Sequence, residues 1–294
     1  MTPFLEPVLR VLSPGLGLTI QDRGRAGYGR FGVPRSGAMD PHAFSWANRL
    51  LDNPPNAAAL EILLQGAALE VLEDAWIAVC GADLECSVSR WRTVRVTKGT
   101  HVEFARNRSG LWTYLAVEGG FTGEGGEHFG SHSTYPDAGL GKKFEPGDFV
   151  HRLDTEEHRL QLPPSVASRL VPWDEHRDYR FPPPIRVWPG PQWDFFTEHD
   201  RSRFFENDWT TTSRSDRTGY RLSGPSIKPR ESQIISEAVL PGSIQIPGIG
   251  QPIITMNDGP TVGGYPKLGL VDPADLGWLA QARPGTKVRF TLTS

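Results

Sequence analysis

Three short sequence matches recur in the same order in both halves of the chain, and they constrain the fold more than any other feature. Self-similarity at a nearly fixed offset indicates two copies of one structural module. The first two matches are offset by 192 residues and the third by 186. They are Arg25, Gly27, Tyr28 and Gly32 with Arg217, Gly219, Tyr220 and Gly224; Ala82, Asp83 and Leu84 with Ala274, Asp275 and Leu276; and Gly99, Thr100, Val102 and Phe104 with Gly285, Thr286, Val288 and Phe290.

The repeat predicts two domains joined by a linker. We expect an N-terminal module over residues 5–155, a linker over 156–182 and a C-terminal module over 183–294. The linker assignment depends on a polar, proline-rich composition, which is typical of extended connections. It includes Pro163-Pro164 and Pro182-Pro183-Pro184.

Both modules are predicted to be mainly β. The chain has 32 glycines and 26 prolines, an excess that disfavours helices and fits short strands joined by turns. Apolar and polar residues alternate over 93–97, 101–104 and 287–292, and residues 111–117 are rich in aromatic and β-branched side chains. Helices are predicted to open at Asp40-Pro41 and Asp272-Pro273, because Asp caps a helix and Pro suits its first turn.

The charge and hydropathy pattern disfavours several classes of protein. The 31 basic and 34 acidic residues leave a net charge of −3 without a long basic run, which disfavours a dedicated nucleic-acid binder. No apolar stretch reaches the roughly 18 residues of a membrane span, and Glu6 and Arg10 interrupt the region that a signal peptide needs apolar. Cys80 and Cys86 do not make a disulfide scaffold, and Cys80 is predicted to be a small buried hydrophobe. We expect a soluble cytoplasmic chain.

A glycine-punctuated loop with four arginines precedes the first predicted helix. It runs from Gln21 to Asp40 and contains Arg25, Tyr28 and Ser36. Guanidinium groups and the N–H groups of a helix N-terminus suit a carboxylate or phosphate. The alternative is that the glycines only form turns, that Asp40 only caps, and that the arginines are solvated.

A second candidate loop runs from Asp258 to Lys267. Its paired glycines, Gly263 and Gly264, let a ligand approach the backbone, Asp258 can orient or accept a proton, and Lys267 can neutralise an anion. The alternative is a glycine-rich hairpin with a surface lysine. Near it, Gln245 and Gln251 offer hydrogen bonds to an amide or ureido group, unless they are satisfied in place.

Other familiar sites are disfavoured. His128 and His132 have metal-ligand spacing but lie in a glycine loop without a nearby thiolate, so we expect no metal site. The chain has no phosphate-loop motif, no Gly-x-Ser-x-Gly elbow and no Met-Lys dipeptide for biotin attachment. We therefore expect a component that works with partners and carries no covalent biotin.

Together, these segments resemble the biotin-dependent carboxyltransferase-type family. This family includes the C subunit of prokaryotic 5-oxoprolinase, the so-called allophanate hydrolase subunit 2 and part of the urea carboxylase carboxyltransferase domain. The resemblance spans nearly the whole chain in the family's order. Its positions include Gln21, Asp22, Gly24, Arg25, Gly27 and Tyr28; residues 32–34 and 36–40; Gly130, Ser131, Ser133, Thr134 and Tyr135; Gly190, Pro191, Gln192 and Asp194; residues 215–217 and 219–222; Ser236 and Glu237; residues 250–252; and residues 263–267.

The resemblance implies a mainly β fold of two tandem cyclophilin-like β-barrel modules with few short helices. It also implies a B-type and an A-type partner subunit, which together with this chain cleave 5-oxo-L-proline to L-glutamate and hydrolyse ATP. A five-membered lactam is a resonance-stabilised amide, and phosphorylating its carbonyl oxygen would activate it. We expect ATP to be shared with the partner.

Two departures from the family pattern bear on the activity. His132 replaces an expected arginine, and Gly259-Pro260 stands where the carboxyltransferases resemble Arg-Gln. The lost positive charge favours the oxoprolinase over a carboxybiotin or urea role. The alternatives are a biotin-dependent carboxyltransferase component of the urea or allophanate type, and a regulatory protein that binds a kinase-inhibitor partner.

For the oxoprolinase, Lys267 suits the substrate carboxylate or developing charge, Asp258 the lactam N–H, and Gln251 either a donor or an acceptor. We therefore predict Asp258 and Lys267 as catalytic residues. The predicted substrate-binding residues are Arg25, Tyr28, Ser36, Asp40, Gln251, Gly263, Gly264 and Tyr265.

Overall fold

The chain folds into two compact units. The computed structural model describes residues 6–123, 126–153, 160, 162 and 167–293. Unit 1 comprises residues 1–25 and 36–178, and unit 2 comprises residues 26–35 and 179–294. The short segment 26–35 thus belongs to unit 2, although the residues on both sides of it belong to unit 1. Within the predicted linker, residues 156–159, 161 and 163–166 lie outside the described residues.

Unit 1 is built from two antiparallel sheets and one α-helix among its described residues. The first sheet has the strand order β7-β4-β1-β10-β9, and the second has the order β2-β3-β8-β5-β6. The elements are β1 (Glu6–Pro14), β2 (Leu18–Gln21), α1 (Pro41–Leu50), β3 (Ala59–Leu63), β4 (Ala67–Val71), β5 (Ala75–Asp83), β6 (Thr93–Val96), β7 (His101–Phe104), β8 (Ser109–Val117), β9 (Phe121–Thr122) and β10 (Phe149–Arg152).

The core of unit 1 comes from strands of both sheets. In β4, Ala67, Leu69 and Val71 alternate with less buried residues, so one face of the strand points inward. These side chains join Leu60 and Leu115 of the second sheet in one buried cluster. The predicted strands over 101–104 and 111–117 lie within β7 and β8. Cys80 is fully buried, which confirms its predicted role in the core.

Helix α1 begins where the sequence predicts. The Asp40 carboxylate accepts hydrogen bonds from the backbone N–H groups of His42 and Ala43, which satisfies donors that a helix start otherwise leaves unpaired. Ala43, Ala47 and Leu50 are buried on one face of the helix. The cap therefore sets where the helix begins, and the apolar face determines which side packs into the core.

Unit 2 is built around an eight-stranded sheet with the order β19-β12-β13-β16-β15-β18-β11-β20, and β14 pairs with β17 in a separate ribbon. Strands β11 and β20 are parallel, whereas the other pairs are antiparallel. The elements are β11 (Ile185–Pro189), α2 (Glu198–Glu206), β12 (Trp209–Thr211), β13 (Gly219–Ser223), β14 (Glu237–Ala238), β15 (Ser243–Gln245), β16 (Ile253–Thr255), β17 (Val262–Gly263), β18 (Lys267–Val271), α3 (Leu276–Ala280), β19 (Lys287–Val288) and β20 (Phe290–Leu292).

The core of unit 2 holds α2 against the sheet through aromatic side chains. Phe204 of α2 stacks on Phe290, with ring centroids 4.8 Å apart, and contacts Trp209 at 5.4 Å. All three side chains are almost fully buried. Buried aromatic pairs of this kind stabilise a fold beyond the contribution of the apolar area that they remove from water. This cluster therefore holds the helix on the sheet.

The prediction of a mainly β chain with few short helices is confirmed, and two element boundaries are corrected. The helix expected from Asp272 begins at Leu276, after a turn over residues 273–275 in which the Asp272 carboxylate accepts from the Ala274 N–H at 2.9 Å and the Asp272 carbonyl accepts from the Leu276 N–H at 3.2 Å. The single strand expected over 287–292 is two strands, because β19 pairs with β12 and β20 pairs with β11.

The second and third repeat matches differ in how far their local structures agree. Gly99 and Gly285 both adopt positive φ in a turn just before a strand, at +85° and +87°. By contrast, Asp83 ends strand β5 whereas Asp275 precedes helix α3. The third match therefore lies in equivalent turns, while the second lies in different elements.

Among the described residues, no helix combines the length and the apolar character needed to cross a membrane.

Candidate functional site

A row of polar side chains crosses three adjacent strands of unit 2. Lys267 of β18 is in register with Gln245 of β15, which is in register with Ile253 of β16. Since residues two apart share a face of a strand, Thr255 lies on the same face as Ile253. The Gln245 Nε2 donates to Thr255 Oγ1 at 2.9 Å. We call Lys267, Gln245 and Thr255 the polar row; all three are buried.

The β14–β17 ribbon contacts the polar row through Glu237 and Gly263, which are paired across the two strands. A Cβ added at Gly263 would lie 2.9 Å from Gln245 Oε1 and 3.0 Å from Val239 Cγ2. Only glycine therefore lets the β17 backbone lie this close to the row without a shift of its neighbours.

Lys267 is held by the ribbon through two contacts. Its Nζ lies 2.5 Å from Glu237 Oε1 and donates to the Ala238 carbonyl at 3.2 Å. Gln192 links the same groups, because its Nε2 donates to Glu237 Oε1 at 2.8 Å and its Oε1 accepts from the Lys267 N–H at 3.1 Å. The Lys267 hydrogen bond, helped by that of Gln192, holds the pKa of Glu237 below its ordinary value, against the effect of burial. The side chain of Glu237 is 40% exposed and that of Lys267 only 6%, so the anion of this pair is the partner that reaches solvent.

Asp258 forms the second ion pair of the site, just beyond the end of β16. Arg217 donates from Nε to Asp258 Oδ2 at 2.5 Å and from a terminal nitrogen to Oδ1 at 3.2 Å. The two residues are also joined by the Asp258 N–H and the Arg217 carbonyl, 2.9 Å apart. A forked arrangement of this kind fixes the carboxylate in one orientation. Both side chains are largely buried.

The surroundings of Lys267 correct one expectation from the sequence. The residue does not lie in a loop or at the surface, because β18 begins at Lys267 and the residue is 5% exposed. Gly190 packs so closely against this strand that an added Cβ would lie 2.3 Å from the Lys267 carbonyl oxygen. Lys267 is thus a buried strand residue, and the strand pairing of β18 fixes the position from which its side chain extends.

The other residues predicted in this region are Gln251, Gly264 and Tyr265. Gln251 uses both ends of its amide on the backbone of Gly224, accepting from its N–H at 2.9 Å and donating to its carbonyl at 3.1 Å. Its side chain is thus satisfied in place, one of the alternatives open from the sequence. Gly264 accepts the Ile234 N–H at 2.8 Å, next to the ribbon, and Tyr265 is exposed.

The predicted residues of the arginine loop are divided between the two units. Tyr28 belongs to unit 2, where it precedes a short 3-10 helix over Gly29–Phe31. Arg25, Ser36 and Asp40 belong to unit 1. Ser36 is buried and has a left-handed backbone, with φ at +55°.

Arg25 lies beside a dense hydrogen-bond network in unit 1. It is 2% exposed and donates to the Ser133 carbonyl. The buried Asp22 carboxylate accepts from the hydroxyls of Ser131 and Ser133, each at 2.6 Å, and from the N–H of His132 at 2.8 Å. This network joins the loop to the Gly130–Tyr135 segment. Asp22 and Arg25 therefore have a structural role in unit 1.

Asp40 lies in a second buried network. Its N–H donates to the Tyr114 hydroxyl at 2.8 Å, and that hydroxyl donates to Glu61 at 2.7 Å. Burial, with the nearby Glu61 charge, raises the pKa of Tyr114 well above its ordinary value. Burial, with the nearby Arg177 charge, lowers the pKa of His42. Asp40 therefore caps α1 with its carboxylate, and its backbone N–H joins it to the buried Tyr114–Glu61 pair.

Within unit 2, the structure brings Lys267 and Gly263 to one site, and Gly259, which follows Asp258 in the chain, packs against Thr255 of the polar row. Sequence reasoning missed the contributions of Glu237, Gln192 and Arg217. All three lie in segments that carry the family resemblance, but only the paired strands show that they meet Lys267 and Asp258. Among the residues that the structure describes, no group of three or more His, Cys, Asp or Glu side chains is placed to hold a metal ion.

Residues 31–292 match the family model described as carboxyltransferase domain, subdomain A and B. The chain belongs to this family. It is 32% identical to the C subunit of 5-oxoprolinase from Escherichia coli, with 98% of this chain and 92% of the relative covered. It is 36% identical to the C subunit of 5-oxoprolinase from Haemophilus influenzae, with 94% and 88% covered. The family resemblance noted from the sequence is thus confirmed.

The fold is also similar to that of a solved member with a different name. The chain superposes on the crystal structure of Kluyveromyces lactis urea carboxylase with a TM-score of 0.86 and 29% sequence identity. The match covers 98% of this chain but only 28% of that protein. The urea carboxylase therefore contains a region like the whole of this chain together with a larger remainder.

Proposed function

We propose that the chain is the C subunit of an ATP-dependent 5-oxoprolinase, which cleaves 5-oxo-L-proline to L-glutamate together with A-type and B-type subunits. The observation that carries the proposal is the near full-length similarity to two proteins of that name. The polar row supports it, because it combines a buried cation with amide and hydroxyl groups. A lactam acid carries a carboxylate, an N–H donor and a carbonyl acceptor that match these groups.

The geometry suggests a role for each group. Lys267 binds the carboxylate of the substrate, and Gln245 and Thr255 hydrogen-bond the lactam. Adjacent strands lie about 4.8 Å apart, so Lys267 and β16 are separated by roughly 10 Å of backbone. A lysine side chain and a small ring together can cover that distance.

Asp258 orients the lactam N–H in this proposal. Two of its acceptor positions are used by Arg217, but a carboxylate offers about four. Because Arg217 holds the carboxylate in place, Asp258 can accept the lactam N–H without turning away. Its contribution is therefore orientation and charge, with the proton-transfer step assigned to no single residue.

ATP is bound, in this proposal, with the help of the partner subunits. The two cations of the candidate site already have carboxylate partners within the chain, since Lys267 faces Glu237 and Arg217 faces Asp258. In this proposal Lys267 is assigned to the substrate carboxylate and Arg217 holds Asp258, so neither cation is left to bind a triphosphate. We therefore assign ATP to a site shared with or supplied by a partner, and we expect the complex in the cytoplasm.

The packing of Gly259 argues against the carboxyltransferase alternative. A Cβ added there would lie 2.4 Å from Thr255 Cγ2 and 2.7 Å from the Thr218 carbonyl oxygen. An arginine at this position, which the resemblance implies for the carboxyltransferases, would require the Thr255 side chain and the Thr218 backbone to shift. The arrangement favours a site without that additional cation.

The proposal predicts the effect of removing the Lys267 charge. The chain is purified with its A-type and B-type subunits, and 5-oxoproline-stimulated ATP hydrolysis and glutamate formation are measured. A charge-assisted hydrogen bond contributes about 1.5–3 kcal/mol, so Lys267→Met should lower kcat/KM by about 10- to 150-fold. Methionine keeps most of the apolar volume of the buried stem.

Lys287→Met is the matched control, because it removes the same charge in unit 2 from a side chain that is 73% exposed. We expect the control complex to keep its kcat/KM. Equal activity of the two variants would remove Lys267 from the site. A wild-type complex without oxoproline-dependent ATP hydrolysis would contradict the proposed function itself.

A further inference from the structure

We propose that Glu237 is an internal carboxylate that occupies the anion-binding position of Lys267, and that a substrate carboxylate must displace it together with the ribbon. The inference rests on the proposed function in one respect, namely that the ligand of Lys267 is a carboxylate. Beyond the proposed function, Glu237 sets the affinity and selectivity of the site, and the β14–β17 ribbon moves when the substrate binds.

The contacts of Lys267 are those expected of an anion-binding site that is occupied by a carboxylate of the same chain. The ammonium group makes its shortest contact, 2.5 Å, to a side-chain carboxylate rather than to a backbone group. That carboxylate is delivered by a two-residue strand that pairs with another two-residue strand, outside the main sheet. A small ribbon has few backbone hydrogen bonds of its own and opens at lower cost than a central strand.

The burial of the pair is unequal, which favours exchange of the anion. Lys267 lies at the start of β18 with its side chain 6% exposed, whereas the side chain of Glu237 is 40% exposed. Gln192 holds both partners from the side, with one end of its amide on Glu237 and the other on the Lys267 backbone. If Glu237 leaves, the Gln192 Nε2 and the Lys267 ammonium point to the same vacated position and can receive a carboxylate from solvent.

This arrangement has a selectivity consequence. A neutral ligand gains nothing from Lys267, because it cannot replace the charge of Glu237. An anionic ligand replaces one carboxylate with another and keeps the cation neutralised, which avoids leaving a buried charge unpaired. The apparent affinity is the intrinsic affinity multiplied by the fraction of molecules in which Glu237 has left the position.

The test measures carboxylate binding to the full chain by isothermal titration calorimetry. The probes are 5-oxo-L-proline and cyclopentanecarboxylate, which has the ring size and carboxylate but no lactam. Glu237→Gln removes the competing charge while keeping the shape, and we expect both probes to bind about tenfold more tightly. Glu231→Gln makes the same charge change at an exposed residue and should leave both affinities unchanged.

The outcomes separate this proposal from the proposed function. Unchanged or weaker binding of cyclopentanecarboxylate by Glu237→Gln, or no binding by either protein, overturns the displacement proposal. Tighter binding of cyclopentanecarboxylate without any binding of 5-oxoproline supports displacement and contradicts the oxoprolinase substrate. Adding Lys267→Met to Glu237→Gln should abolish the gain, because the cation is then absent.

A second measurement uses the wild-type protein and does not depend on a variant that folds. Hydrogen exchange followed by mass spectrometry reports the ribbon through the Ile234 and Val239 amides, which bond to Gly264 and Thr261. We expect saturating carboxylate to accelerate exchange over residues 234–240, whereas ligands usually protect the segments they contact. Protection or no change in this segment at saturation would contradict displacement.

Discussion

Replacing Asp258 with asparagine should destabilise unit 2 because it removes one partner of a buried ion pair. In the native protein the Asp258 carboxylate receives two hydrogen bonds from the Arg217 guanidinium, and the side chains are only 7% and 17% exposed. Asparagine keeps the shape but removes the negative charge that faces the Arg217 guanidinium. The effect should appear in the stability of unit 2 and not in that of unit 1.

The magnitude follows from the burial of the pair. Removing one partner of a buried pair costs about 3–5 kcal/mol, since the remaining charge stays in a poorly solvated position. The partial exposure of Arg217 lowers this figure, and we expect about 2–4 kcal/mol for Asp258→Asn. An exposed pair contributes only about 0–1 kcal/mol. Asp208→Asn is therefore the control, because Arg289 and Asp208 are 58% and 38% exposed.

Urea-dependent hydrogen exchange followed by mass spectrometry measures the two units separately, which a single unfolding curve cannot do in a chain of two units. We expect Asp258→Asn to lower the opening free energy of strands β13 and β16 and to leave β5 and β8 unchanged. Losses no larger than those of Asp208→Asn would refute the assignment of a buried, stabilising pair.

A double variant separates stability from function. Arg217→Met added to Asp258→Asn removes the arginine charge as well and should recover much of the lost stability, as apolar replacements of buried pairs often do. If Asp258 orients the substrate, the recovered protein stays inactive in the assembled complex. Recovery of activity together with stability would show that Asp258 only supports the fold.

Two further predictions concern the strand and the ribbon that meet at Lys267. Gly190→Ala should destabilise unit 2 by about 1–3 kcal/mol, because the new Cβ overlaps the β18 backbone; the control, Gly29→Ala, meets nothing nearer than 4.0 Å, and equal opening free energies in hydrogen exchange would contradict the overlap. Since the pKa of Glu237 is lowered in the folded protein, its ion pair stabilises the ribbon above the ordinary glutamate pKa of about 4.3, and this contribution is lost as the pH falls through the lower, folded value. Exchange over residues 234–240, corrected for the intrinsic effect of pH, should therefore accelerate from pH 6 to pH 3, and Glu237→Gln should remove that acceleration; a pH response that persists in the variant would contradict this assignment.

Local signals in the sequence predicted the elements whose structure depends on near neighbours. Asp40 and Pro41 identify the start of α1, since capping and the fixed φ of proline act within one turn. The alternation over 101–104 identifies β7, because successive side chains of a strand point to opposite faces. The split of 287–292 into β19 and β20 was not predictable, because it depends on two different partner strands.

The candidate site was predicted only where a residue's chemistry is evident without its partners. Lys267 and Gly263 stand out by residue type and spacing. Glu237 precedes Lys267 by thirty positions and Gln192 by seventy-five. Only the tertiary structure, in which β11 pairs with β18 and β14 pairs with β17, brings the three residues together. The same limit explains Gln251, whose amide looks available in the sequence and is bonded to Gly224 in the structure.

The proposed function is tested most directly by asking whether the 5-oxoprolinase reaction depends on this chain. Glutamate formed from 5-oxo-L-proline is measured with the A-type and B-type subunits and ATP, with and without the chain. We expect glutamate and stoichiometric ATP hydrolysis only when all three components are present, and neither from the chain alone. Glutamate formation at the same rate without the chain, or none in the complete mixture, would contradict the proposed function.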